Sequence, residues 1–262
     1  MPQDVLGNAV STTAPSTLAG IDDFVTVTGE FGEAPEVEVF SPLHADRTGF
    51  TDLETGDGTA LTAANQIAVI DVALYRGSTG DEIVATEFNG DLSRLSNIAS
   101  WEQQIPAIAT VLECATPGTR MLAAFTPEDF GEQASEGFQL EADESVVAVI
   151  DVLDTYLPRA TGELQFHDAR GLPTVVRAPD GRPGIIVPDS TPPAELVTQV
   201  LIEGDGDEVT ADTPFRVHYT GVTWAERTGF DTSWDADPAQ FNLASVIPGF
   251  AEWKAGFPET AL

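Results

Sequence analysis

Two runs of β-branched and apolar residues dominate the chain's folding options. Residues 66–74 read Gln-Ile-Ala-Val-Ile-Asp-Val-Ala-Leu and residues 145–152 read Ser-Val-Val-Ala-Val-Ile-Asp-Val. Both are short and favour strands over helices, because branched side chains pack well on a pleated surface. Residues 215–219 alternate instead, which places Phe215, Val217 and Tyr219 on one face of a strand. A helix is expected over residues 100–114, where Trp101, Ile105, Ile108 and Leu112 recur at three- and four-residue spacing. Ser100 is the expected cap, and Pro117-Gly118 ends the segment. Pro106 falls inside the pattern, so the helix starts later or bends there. A β-rich α+β fold with one short amphipathic helix per unit follows.

The 262 residues suit one large domain or two ordinary ones. With 43 acidic residues against 11 basic, the formal charge is -32. That excludes nucleic acid as a partner, since phosphates reward Lys and Arg. Lys254 is the single lysine, which disfavours anionic membrane surfaces, and no run reaches the length of a membrane span. A hydrophobic content of 42% opposes disorder as the general state. Residues 1–30, Ser/Thr/Ala-rich over 1–20, read as a flexible tether without the features of a signal peptide. Cys114 is the only cysteine and is expected to be a buried small hydrophobe. His44, His167 and His218 are widely separated in sequence, and no residue set has metal-ligand spacing, so neither metal nor cofactor is expected.

The chain also repeats itself. Gly56-Asp57-Gly58 matches Gly204-Asp205-Gly206, and the same 148-residue offset pairs Thr62-Ala63 with Thr210-Ala211 and Val69 with Val217. At that offset Asp71 stands opposite Tyr219. Two domains are therefore expected over 31–156 and 194–262. Residues 157–193, rich in Pro, Gly and charge, are read as a linker and lead-in strand. Arg182-Pro183-Gly184 and Pro192-Pro193 weigh against a regular element across that whole span.

The most specific text lies in the second repeat. It reads Val217-His218-Tyr219-Thr220-Gly221, Gly229-Phe230-Asp231-Thr232-Ser233, Phe241-Asn242-Leu243 and Val246-Ile247-Pro248-Gly249-Phe250. In this order and spacing the four blocks resemble the FKBP-type peptidyl-prolyl isomerases. The resemblance implies two FKBP-like domains, each a curved antiparallel sheet wrapped on one short helix. It also implies cofactor-free isomerisation of X–Pro bonds in unfolded or exported polypeptides. Partners would be proline-containing chains and macrolide immunosuppressant-type ligands. Carried over by position, Tyr219, Asp231 and Ile247 would be catalytic. Asp231 would sit near the substrate carbonyl, and Ile247 would offer its N–H to the peptide. Phe230, Phe241 and Val246 would line the walls, and Phe250 would form the floor where the family usually has Trp. Ala236 stands near where some relatives carry an Arg that partners the Asp. Asp231, Asp235 and Asp237 lack the glycine and terminal Glu of a calcium loop.

The chemistry needs no activated nucleophile. Rotation about an X–Pro bond crosses a barrier of about 18–20 kcal/mol, and the twisted amide is less polar than the planar one. An aromatic pocket therefore lowers the barrier by binding the twisted form better.

Two departures qualify the resemblance. In the first repeat Val84-Ala85-Thr86 replaces the Phe-Asp-Thr-Ser block, although Ile98 and Trp101 keep the spacing of the floor motif. Gly118-Thr119-Arg120 through Pro127-Glu128 resembles a later family segment, so this domain reads as complete in fold and poor as an isomerase. The second domain reads as truncated, because the family's final strands have no counterpart before Leu262. Two alternatives stay open: a non-catalytic, chaperone-like polypeptide binder, or a structural spacer of the cell envelope. Tandem domains behind a polar tether resemble exported or lipid-anchored bacterial family members, which points to an extracytoplasmic location.

Overall fold

The computed structural model describes residues 20–166, 170–204, 215–241 and 246. The chain divides into two compact units, residues 1–156 and 157–262.

In the first unit the strands are β1 (Val25–Thr28), β2 (Glu36–Val39), β3 (Gly49–Glu54), β4 (Ile67–Arg76), β5 (Glu82–Ala85), β6 (Leu95–Asn97), β7 (Thr119–Phe125) and β8 (Val146–Thr155). The helices are α1 (Ile98–Gln104), α2 (Ile108–Leu112), α3 (Pro127–Phe130) and α4 (Glu132–Gly137). Strands β3-β7-β8-β4-β5 form an antiparallel sheet in that order, with β6 also on β4. Strands β4 and β8 correspond to the two apolar runs, and every residue of β7 is buried. That continuity means that both sheet faces are covered. Ile70, Val72, Leu74 and Ile150 pack with Ile108, Leu112 and Phe130 on the helix side. Ala73, Tyr75, Leu122 and Val149 pack with Val25 and Val39 of the β1–β2 hairpin on the other. β1 thus lies within residues 1–30, where the sequence reads as tether, because alternating Val25 and Val27 give it an inward face.

The expected single helix is two. Asn97, not Ser100, is the cap: its side chain accepts the Ser100 N–H at 2.7 Å, which puts Ser100 inside the first turn. The break between α1 and α2 falls at Pro106. Cys114 is also not as expected. It is exposed in a left-handed backbone, φ 67°, while its neighbours Leu112 and Ala115 are buried.

A buried charged row crosses the hairpin-facing side of the sheet. Arg120, in the Gly-x-Arg motif, forks onto Asp151 with Nε and Nη2 at 2.6 and 2.7 Å. It also donates to the carbonyls of Gly29 and Glu33 at 2.9 and 2.8 Å, while Asp151 accepts from Gly32 N–H at 2.8 Å. Those bonds fasten the β1–β2 turn. Asp71, directly opposite Asp151, is paired with Arg94 at 2.7 Å.

The second unit contains β9 (Glu163–Leu164), β10 (Thr174–Arg177), β11 (Pro183–Ile186), β12 (Ile202–Glu203), β13 (Phe215–Val217), β14 (Thr220–Val222), β15 (Gly229–Thr232) and β16 (Ala239–Phe241). They pair antiparallel in twos: β9 with β12, β10 with β11, β13 with β16, β14 with β15. Residues 157–193, read from sequence as linker and lead-in strand, thus hold β9 and the β10–β11 hairpin. The hairpin accommodates Pro183 and Gly184 within one short strand of a two-stranded pair. The architecture is α+β and dominated by antiparallel strands.

Candidate functional site

The signature residues converge from three strands. Phe215 on β13 and Phe241 on β16 are cross-strand partners with ring centroids 6.3 Å apart. Tyr219, just before β14, lies 6.0 Å from the Phe241 ring. Its hydroxyl donates to Asp231 Oδ2 on β15 at 2.5 Å. That bond, with burial and the carboxylate charge, holds the Tyr219 proton above the ordinary tyrosine range. Tyr219, Asp231 and Phe241 are therefore brought together, as an aromatic pair edged by one carboxylate.

Phe230 is placed differently. Gly221 pairs with Asp231 and Val222 with Gly229, leaving Phe230 as the extra residue of a β-bulge. It is 70% exposed, and its ring lies over Gly221, where a Cβ would fall 2.5 Å from Phe230 Cζ. Among the expected wall residues it does not join the Tyr219–Phe241 group. Val246 is half-buried, and Ile247 and Phe250 lie outside the described residues.

A hydroxyl fixes the Tyr219 backbone. Ser233, buried, accepts the Tyr219 N–H with Oγ at 2.9 Å and gives its own N–H to Tyr219 O at 3.1 Å. Next to it, His218 stacks on Trp234 with centroids 4.5 Å apart. Burial lowers the His218 pKa, with the Ser233 contact and the Asp237 charge acting the other way.

The first unit repeats this device with other side chains. Thr86 Oγ1 accepts the Val72 N–H at 3.0 Å, and Thr86 N–H donates to Val72 O at 2.9 Å. Ala73 pairs with Ala85 as Thr220 pairs with Thr232. The hydrogen bonds thus put Val72, not Asp71, in the place of Tyr219, and Val84 in the place of Asp231. Asp71 faces the opposite side of the sheet, so the offset read from sequence identities is one residue too long for this hairpin. Around Val72 and Val84 lies a groove of about 320 Å³, with Leu74, Trp101, Ile105 and Phe138 also in its lining. Sequence reasoning missed this groove as a site, though the spacing of Ile98 and Trp101 was a signal for it.

No family model matches the chain. An FK506-binding protein from Streptomyces anulatus and a probable FK506-binding protein from Corynebacterium glutamicum are each 36% identical to it over 78 residues, 29% of this chain. Over that stretch the chain is similar to FK506-binding proteins. It spans 63% and 64% of the length of those two relatives. Similar solved structures include the N-terminal domain of FKBP42 from Arabidopsis thaliana, with TM-score 0.37 and 10% identity over 47% of this chain and 98% of that one. The three FKBP domains of wheat FKBP73 give TM-score 0.37 and 14% identity over 82% of this chain and 78% of that one. A peptidyl-prolyl cis-trans isomerase from Pseudomonas syringae gives TM-score 0.35 and 14% identity over 44% and 79%. Among the described residues no group of His, Cys, Asp and Glu has the arrangement of a metal site.

Proposed function

We propose that the second unit catalyses cis/trans isomerisation of X–Pro bonds in unfolded or exported polypeptides. The observation that carries this reading is the Tyr219–Asp231 hydrogen bond beside the Phe241 ring. An aromatic surface accepts the pyrrolidine ring and excludes water from the amide. The Asp231 carboxylate, held by Tyr219, lies at the edge where the carbonyl rotates out of conjugation. Tighter binding of that twisted amide lowers the barrier with no bond made or broken. Macrolide ligands of the FK506 class are the expected competitors, in keeping with the relatives' names. An extracytoplasmic setting is part of the proposal, supported by the resemblance of tandem domains behind a polar tether to exported family members and by the surplus of acid with a single lysine.

The test is NMR exchange spectroscopy on a Pro-containing peptide with the full chain. Faster cis/trans exchange that falls on Asp231→Ala is expected; a peptide that exchanges no faster than in buffer overturns the reading.

A second reading is favoured by the first unit's groove. With Val72 and Val84 in place of Tyr and Asp, its wall is apolar, and Trp101 and Phe138 add aromatic surface. Such a groove suits the holding of apolar polypeptide segments without turnover. Peptide binding to the full chain that survives Asp231→Ala and is lost on Trp101→Ala would support holding; loss of both on Asp231→Ala would refute it.

A further inference from the structure

The β10–β11 hairpin lies outside the four signature blocks, yet its turn is fitted to the residues that follow Asp231. The turn closes with Ala178 N–H to Arg182 O and Gly181 N–H to Ala178 O, both 2.9 Å. Gly181 is buried with φ +97°, and a Cβ there would fall 2.5 Å from Arg159 Cβ and 3.3 Å from Trp234 Cη2. Only glycine suits both that backbone and that approach. The next residue, Arg182, forks onto Asp235 with Nη1 and Nη2 at 2.6 and 3.1 Å. Arg159 in turn donates to Pro179 O at 2.6 Å.

From Trp234 and Asp235 the contacts run without a gap to the site. Trp234 stacks on His218, Ser233 clasps the Tyr219 backbone, and Tyr219 holds Asp231. We propose that the β10–β11 hairpin positions the Tyr219–Asp231 pair, with Arg182 as the positioning residue that braces turn 232–236 through Asp235. A planar guanidinium fork fixes direction as well as distance, which an ammonium would not. The setting gives the cation weight: Asp180 accepts the Arg182 N–H at 3.1 Å and Asp235 takes the fork, in a chain with only 11 Lys and Arg. Arg182 and Asp235 side chains are 42% and 68% exposed, so the pair acts by orientation more than by strength. The kinetic consequence rests on the isomerase reading; the brace itself does not.

The test compares full-length wild type with Arg182→Ala, Arg182→Glu and the charge swap R182D/D235R. Arg177→Ala serves as a control elsewhere in the hairpin. Backbone and side-chain resonances of Tyr219 and Asp231 are expected to move in both single Arg182 variants and to return in the swap. They stay in place in Arg177→Ala. Catalytic efficiency, kcat/KM, is expected to fall roughly two- to fivefold in Arg182→Ala, further in Arg182→Glu, and to recover in the swap. Unmoved Tyr219 and Asp231 resonances in Arg182→Glu overturn the brace. So does full turnover by Arg182→Ala in an active chain. Should wild type lack isomerase activity, that reading alone falls, and the resonances still decide the brace.

Discussion

In the first unit Val72 gives its N–H to a threonine hydroxyl and accepts that threonine's N–H; in the second, Tyr219 does the same with a serine. The two hairpins share this hydroxyl clasp and the cross-strand register around it, Ala73 with Ala85 and Thr220 with Thr232. They differ in what the clasp presents. One offers Val72 and Val84 to a groove; the other offers Tyr219 and Asp231, joined by a hydrogen bond beside Phe241. Backbone geometry is thus held by a small polar device, and the chemistry is set by the side chain of the clasped residue and that of the residue two before the hydroxyl. The units also spend their scarce cations differently. Arg120 sits almost fully buried against Asp151, whereas Arg182 meets Asp235 at the surface.

The largest expected effect breaks that contrast of ion pairs. Asp151→Ala strands a buried guanidinium and releases the Gly29–Glu33 turn, so it should cost the first unit about 3–5 kcal/mol. Asp235→Ala should cost the second about 0–1 kcal/mol. Urea unfolding followed separately at resonances of each unit checks both; equal losses would mean the burial contrast is irrelevant.

Register gives the next largest effect. Asp71→Tyr removes the Arg94 partner and forces a ring into the hairpin-facing core, at an expected cost of about 3 kcal/mol or more. Val72→Tyr points into the groove and should cost about 1–3 kcal/mol at most, as a ring in a partly open site. If Asp71→Tyr proved the milder change, the clasp-based equivalence would be wrong. Smaller again, Asp231→Ala should lower kcat/KM about tenfold, some 1.4 kcal/mol, by removing the carboxylate from the carbonyl edge. Thermal stability should hardly move, because Asp231 is exposed.

Much of the fold could be read from the chain. The two Val/Ile runs are β4 and β8, and the 3.6-residue pattern marks the α1–α2 segment with its break at Pro106. Phe215, Val217 and Tyr219 share a face as their alternation requires. What escaped had physical reasons. Identity counting upstream of Asp71 cannot see a one-residue slip between the repeats, and such a slip exchanges the faces of Asp71 and Val72. Position in the motif puts Phe230 in the wall, but it carries no sign of the bulge that lays its ring over Gly221. The β10–β11 hairpin was masked by Pro and Gly, which mark its turn and edge as readily as a linker. Cys114 follows an apolar run but sits where the chain turns out of α2 with positive φ.

The smallest predicted effect separates the units by pH. In the second unit burial keeps His218 below its ordinary 6.5, against the Ser233 contact and Asp237. As pH falls through 6.5 the unfolded chain takes up that proton before the folded one, so the second unit loses stability in the imidazole range. In the first unit burial pushes Glu144 up, but the Ser78 hydroxyl and N–H and the Arg76 guanidinium outweigh it and hold the carboxyl below its ordinary 4.5. Glu144 therefore contributes stability above that value and loses it only in the carboxylate range. Hydrogen exchange measured unit by unit along a pH series should show protection in the second unit declining at the higher pH and that in the first at the lower. His218→Asn should flatten the upper decline. Persistence of that decline in the variant would assign it to another group and remove His218 from the difference between the units.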